Sequence, residues 1–357
     1  MLAAGFAAAF VGDWFLAIRG CGVRTPGFLC GVTAFACAHL IWSAANWRES
    51  KVEWKALPVV LVPVFGLFLT RVRGNIPGGV LLTVSAYAVV SAVSLAVTVG
   101  TRRWFYALGI GNLVLSDVFI ATRWAHAPHW GSFVGPVYVL SLVLVAVSLV
   151  CGAREPRFTC GKGNPLPVTL IGGVLSAGFF VWAMAVCPGG HYNPLFRMLS
   201  YLGRTSIGDV AYPLSHYLFC LGLACGAAAA LYMAPYLRAS AEGRIRKEFV
   251  GWGMAVCVSG LLLILMVPED VNMVGHNGGC YLTMVGGIPM ASALATDRFG
   301  KGFLVWMGII ATVFETFLAL HAMHILPFVP YVPATQKAII VSFVLWQLVS
   351  AVRIRHR

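Results

Sequence analysis

The sequence predicts an all-α integral membrane protein of about twelve transmembrane helices in two six-helix halves. Three observations carry that prediction. Of 357 residues, 59% are hydrophobic and only 10% are charged. Apolar runs of about twenty residues, the length that carries a helix across a bilayer, recur from end to end. The ten-residue polar/apolar alternation of a membrane β-barrel does not occur.

The spans read near 1–18, 27–46, 56–71, 77–99, 104–124, 133–151, 166–187, 211–236, 248–267, 273–296, 303–325 and 336–353. The first lacks a basic leader and a cleavage motif, so it reads as a membrane helix and not as a signal peptide. The 25 Lys and Arg fall in the short connections, 17 in the even-numbered loops plus the C-terminal tail and 8 in the odd-numbered loops. The positive-inside rule then places both termini in the cytoplasm of a multi-pass protein of the plasma or inner membrane. The net charge of +13 is explained by this loop bias and by lipid headgroups, and no nucleic-acid partner is implied. Ten cysteines without a CxxC pair read as reduced, buried small residues.

The stretch CGAREPRFTCGKGNPLP, between spans six and seven, is polar, basic and rich in Pro and Gly. It divides the chain into 1–152, a linker at 153–165, and 166–357. No internal repeat relates the halves. GDWFLA (12–17) and GDVAYP (208–213) share only Gly-Asp, and the second pair falls in a loop.

The organising stretch is FYALGIGNLVLSDVFIATRW (105–124), which carries Ser116 and Asp117 into the bilayer. A membrane carboxyl costs several kcal/mol, so it has either a packing partner or a function. Asp13 in span one, His39 in span two and Asp117 reach similar depths at about 1.5 Å per residue. Three ionisable groups at one level point to a shared polar pocket. Two carboxyls close together would share one proton, giving an acid and a base at neutral pH. Such a pair suits hydrolysis of an acid-labile ether, one group delivering a proton and its partner activating water. Read structurally, Asp13 and Asp117 would instead bond neighbouring helices, and His39 would be a satisfied core residue.

VGDWFLA (11–17), G-x-x-x-F-x-x-x-H-x-x-W (31–42) and G-x-x-x-x-SD-x-x-I-A (111–121) resemble the motif blocks of the YhhN-type lysoplasmalogenases. The resemblance covers about residues 5–150. YAVVSAV (87–93) and Tyr138 stand where that family has its tyrosine-bearing spans. The family is an eight-span group that cleaves the vinyl ether of lysoplasmalogens into a fatty aldehyde and a glycerophospho-base. The resemblance implies Asp13 and Asp117 as acid and base, with His39 and Ser116 orienting water or headgroup. It implies a membrane lysophospholipid as partner and no cofactor or metal. Tyr87 and Tyr138 are substrate or headgroup candidates.

In the second half His191, His216, Asp270, His276, His321 and His324 collect near predicted external ends, and Glu315 lies deeper in span eleven. His216, Asp270 and His276 are headgroup candidates. His321 and His324, three apart on a predicted helix, could share a proton or a metal. The order N-P-L…LS…LG, VPEDVNMVGH (267–276) and TQK…LW (335–346) resembles a six-span family related to the Frag/DRAM membrane proteins. That resemblance implies a lipid-facing module. The rival reading for the whole chain is a non-catalytic lipid-binding or transport protein.

Overall fold

The computed structural model describes residues 2–17, 26–67, 78–125, 131–151, 164–189, 192–193, 197–294, 298–325 and 331–355. His191 and most of the predicted linker lie outside the described residues. The chain divides into two compact units, Met1–Thr159 and Cys160–Arg357.

The first unit contains α1 (Leu2–Ala17), α2 (Pro26–Asn46), α3 (Ala56–Leu67), α4 (Gly78–Thr101), α5 (Trp104–Ala125) and α6 (Gly131–Cys151). The second contains α7 (Leu166–Ala185), α8 (Leu214–Ser240), α9 (Arg244–Met266), α10 (Met273–Leu294), α11 (Arg298–Ala322) and α12 (Tyr331–Arg355). Between α7 and α8 lie a short 3₁₀ turn, Leu199–Gly203, and a two-stranded hairpin, β1 (Ser206–Ile207) and β2 (Val210–Ala211). Gly208, at φ 58°, turns that hairpin; a left-handed residue there is cheap only for glycine. Seven of the described helices are long and apolar enough to cross a membrane. The chain is a multi-pass helical membrane protein.

The units are apolar outside and selectively polar inside, as lipid demands. Phe10, Trp14 and Leu82 of the first unit, and Ile171, Val174 and Val305 of the second, are exposed. Ser43, Ser91, Ser94, Thr98, Ser141 and Ser148 are buried. Without a hydrophobic drive between helices, small and hydroxylated residues let them approach closely and hydrogen-bond. In the first unit α4 packs against α2, α3 and α5, while α1 pairs with α2 and α5 with α6. A Cβ on Gly12 would lie 3.2 Å from the Gly31 carbonyl oxygen, and the reverse holds for Gly31, which fixes the α1–α2 crossing. Asn46 donates to the Tyr106 hydroxyl at 3.0 Å, and Arg103 donates to the Ser148 hydroxyl at 2.9 Å. These bonds tie α2 to α5 and the start of α5 to α6. The apolar core between them is built on Ala9, Phe35, Ala38, Trp42, Tyr106, Ile110, Leu113 and Val145.

In the second unit α9 and α10 form the closest pair, and α12 packs on α7 and α8. Two expectations change here. Helix α11 ends at Ala322, and His324 lies beyond it at φ 58°, so His321 and His324 do not share a helical face. Glu315 is exposed on α11. The eight described cysteines are free, and Cys30 and Cys37 are exposed, not buried.

The basic-residue asymmetry predicts the side on which each loop lies. In a cysteine-free background, Asn193→Cys is expected to react with an impermeant maleimide applied outside the cell. Ser240→Cys is expected to react only after permeabilisation. The opposite pattern would invert the topology.

Candidate functional site in the membrane interior

The sequence-predicted residues of the first unit come from five helices. Asp13 lies on α1, His39 on α2, Tyr87 on α4, Ser116 and Asp117 on α5, and Tyr138 on α6. Their packing places them along one connected path. The Tyr138 hydroxyl donates to Asp13 Oδ2 at 2.5 Å, and the Tyr87 hydroxyl donates to Asp117 Oδ2 at 2.6 Å. Both are at the short end expected for an O–H bonded to a carboxylate. Phe35 and His39, one turn apart on α2, stand against Tyr138 at 6.1 Å and Tyr87 at 5.8 Å between ring centroids, so the two pairs flank the same helix.

His39 is fully buried beside them, its ring edge-on to Tyr87 at 5.8 Å between centroids and to Trp42 at 5.9 Å. Neither of its ring nitrogens has a hydrogen-bond partner among the described residues. An unmet buried polar atom costs about 1–3 kcal/mol, so His39 is not the satisfied core histidine of the structural reading. Phe35, edge-on to Tyr138 at 6.1 Å, holds that ring toward α1. Ser116 is buried, and its hydroxyl makes only a long 3.4 Å bond to the Val134 carbonyl on α6.

The arrangement differs from the expected carboxyl pair in one respect. Asp13 and Asp117 do not hydrogen-bond each other; each takes a tyrosine. Tyr87 and Tyr138, the substrate or headgroup candidates, hydrogen-bond the two carboxylates. Each bond uses one carboxylate oxygen and leaves the other unpaired among the described residues. Such a carboxyl is oriented and still able to accept or deliver a proton.

The model of the YhhN family matches residues 1–149. No curated protein and no solved structure matches the chain. The matched segment coincides closely with the first compact unit, Met1–Thr159, and contains all six side chains of the site.

The second-unit candidates behave differently. His216 and His276 are buried, and each turns Nδ1 to a backbone carbonyl, Gly203 at 2.8 Å and Val267 at 2.9 Å. Asp270 accepts from the Thr205 amide at 3.0 Å, the Thr205 hydroxyl at 2.8 Å, the Ser206 amide at 3.1 Å and the Ser206 hydroxyl at 3.3 Å. Three of those donors meet Oδ2 and one meets Oδ1, so Asp270 pins the start of the hairpin. Among the described residues no three metal-ligating side chains gather closely enough to hold an ion. What the sequence analysis passed over is the ion pair Arg204–Glu269 at 3.0 Å, with Ser200 donating to the same carboxylate at 2.8 Å. The P-E-D of VPEDVN was the available signal: its Glu, and not its Asp, holds the arginine.

Proposed function

We propose that the YhhN domain hydrolyses the vinyl-ether bond of lysoplasmalogens, releasing a fatty aldehyde and a glycerophospho-base. The observation that carries this reading is the pair of tyrosine-held carboxyls, Asp13–Tyr138 and Asp117–Tyr87, beside a buried His39. A vinyl ether is stable to base and labile to acid, because protonation of its β-carbon yields an oxocarbenium ion. The first carboxylic acid gives its proton to that carbon. The second carboxylate takes a proton from water as the hydroxyl oxygen bonds to the α-carbon, forming a hemiacetal. The hemiacetal then breaks its bond to the glycerol oxygen. The first carboxylate recovers a proton from the hemiacetal hydroxyl, and the second returns one to the glycerol oxygen. One water is consumed and both carboxyls end as they began.

Tyrosine bonds suit this cycle. Each holds its carboxyl in one rotamer, and positioning of this kind is a large part of what general acid–base catalysis requires. The apolar core residues Ala9, Phe35, Ala38 and Trp42 pack beside the site and would keep bulk water from the oxocarbenium ion. In this reading His39 and Ser116 hydrogen-bond water or the headgroup oxygens.

The test is aldehyde release by the purified full-length protein in detergent. A 1-alkenyl lysophospholipid should yield aldehyde, and the saturated 1-alkyl ether of the same chain length should not, because it has no carbon to protonate. Lipid binding with no aldehyde from any alkenyl substrate would favour a binding or transport protein and overturn the hydrolase reading.

A further inference from the structure

The geometry points to a phosphate-ester binding site in the second unit, built by Arg197 and Lys337 over Tyr192 and Tyr201. It is separate from the membrane-interior site and does not depend on the hydrolase reading. The sequence assigns only 8 Lys and Arg to the odd-numbered loops, yet Arg197, Arg204 and Lys337 converge here from two of them.

The site is held by hydrogen bonds to main-chain atoms that leave the Arg197 guanidinium and one of the three Lys337 Nζ donors available. Lys337, in the second turn of α12, donates Nζ to the Arg197 carbonyl at 2.6 Å and to the Pro333 carbonyl at 3.3 Å. Its neighbour Gln336 accepts from the Leu199 amide at 3.0 Å. The Tyr192 hydroxyl donates to the same Arg197 carbonyl at 3.2 Å. Helix α12 therefore clamps the main chain of residues 197–199 with its Gln336 and Lys337 side chains, and the neutral carbonyl partners leave the Lys337 charge uncompensated.

Charge accounting gives the ligand class. The Arg197 guanidinium lies over the Tyr201 ring at 4.6 Å, and the Arg204 guanidinium contacts the same ring at 4.8 Å. Lys337 Nζ stands 5.9 Å from the Tyr192 ring centroid. Of the three cations, Arg204 is neutralised by Glu269 at 3.0 Å. The other nearby carboxylate, Asp270, is engaged by Thr205 and Ser206. Arg197 and Lys337 have no carboxylate within ion-pair distance among the described residues. Lys337 is half-buried, so its charge is poorly solvated. Two cations carried by one clamped segment, Lys337 being bonded to the Arg197 carbonyl, favour an anion that can meet both. A guanidinium fork and an ammonium together match the oxygens of a phosphate ester. Burial raises the Tyr192 hydroxyl, so it remains protonated at neutral pH. The same chemistry serves a lipid headgroup or a soluble phosphate ester.

The test titrates the full-length protein in a neutral detergent with four probes: inorganic phosphate, glycerol 3-phosphate, dioctanoyl phosphatidic acid and dioctanoylglycerol. Saturable binding of the phosphatidic acid without binding of dioctanoylglycerol identifies a lipid phosphate as ligand. Binding of glycerol 3-phosphate with equal affinity identifies a soluble ester. In either case Arg197→Gln and Lys337→Gln should each raise the dissociation constant tenfold or more, while Lys337→Arg keeps it within about threefold. Arg197→Gln leaves every backbone bond of the clamp in place, so it tests binding even where Lys337→Gln loosens the loop. No binding of any phosphate probe, or unchanged binding by a folded Arg197→Gln variant, would overturn the site.

Discussion

Asp117→Asn is expected to lower aldehyde release from a lysoplasmalogen by about 10² or more, the usual scale for loss of a general acid or base. The amide keeps the shape of the side chain and can still accept the Tyr87 hydrogen bond through its oxygen, so the helix contact survives while the titratable proton is lost. Asp13→Asn should behave likewise at Tyr138. The double variant should be little worse than either alone, because groups that act as a unit are not additive. Tyr87→Phe and Tyr138→Phe keep both carboxyls but free their rotation, and each should fall between wild type and the aspartate variants. Circular dichroism and thermal unfolding in detergent check that all of these proteins are folded. A folded Asp117→Asn variant with wild-type aldehyde release would reduce the Tyr87–Asp117 bond to a helix staple.

The second large effect concerns folding of the second unit. Gly286→Val should yield little or no folded protein, and Gly286→Ala should unfold at a clearly lower temperature than wild type. A Cβ on Gly286 would sit 2.3 Å from the Cys257 amide nitrogen and 2.5 Å from the Gly253 carbonyl oxygen, both main-chain atoms of α9. A Cβ on Gly260 would meet the Gly279 carbonyl oxygen and the Thr283 nitrogen at 2.5 Å. Glycines seven residues apart on each helix, 253 and 260 on α9 and 279 and 286 on α10, thus let the two backbones touch. No rotamer can relieve a clash with backbone, so the helices must separate, and overpacking of this kind costs about 1–3 kcal/mol or more. Gly278→Ala is the matched control, since a Cβ there meets nothing within 4 Å. Equal stability of Gly286→Ala and Gly278→Ala would show that the α9–α10 contact is looser than described.

Local sequence determined the helices. A run of about twenty apolar residues has no stable state in lipid other than a helix, whatever its neighbours are, because every backbone amide must be paired within the segment. For that reason the predicted spans and the observed helices agree closely, as at 27–46 against Pro26–Asn46 and 104–124 against Trp104–Ala125. The agreement fails at the ends of helices, where a turn costs little to unwind. Span eleven was drawn to 325, the helix stops at Ala322, and the predicted pairing of His321 with His324 stops with it. The motif blocks around Asp13, His39 and Asp117 were likewise legible, because they are short and contiguous.

Partnership was not legible, because it is decided by how helices cross. Asp13 and Tyr138 are 125 residues apart, and Tyr87 and Asp117 are 30 apart. Depth arithmetic put both carboxyls at one level of the bundle, but rotation about each helix axis decides what a side chain meets. That rotation is set by close contacts such as Gly12 against Gly31 and by the packing of α4 among α2, α3 and α5. The same holds for Arg197 and Lys337, which only the clamp of α12 on residues 197–199 brings together. From the sequence alone came a helical membrane protein with buried aspartates in its first half. Tertiary packing alone decided that each aspartate is held by a tyrosine, since a hydrogen bond of 2.5–2.6 Å depends on the crossing of helices far apart in the chain.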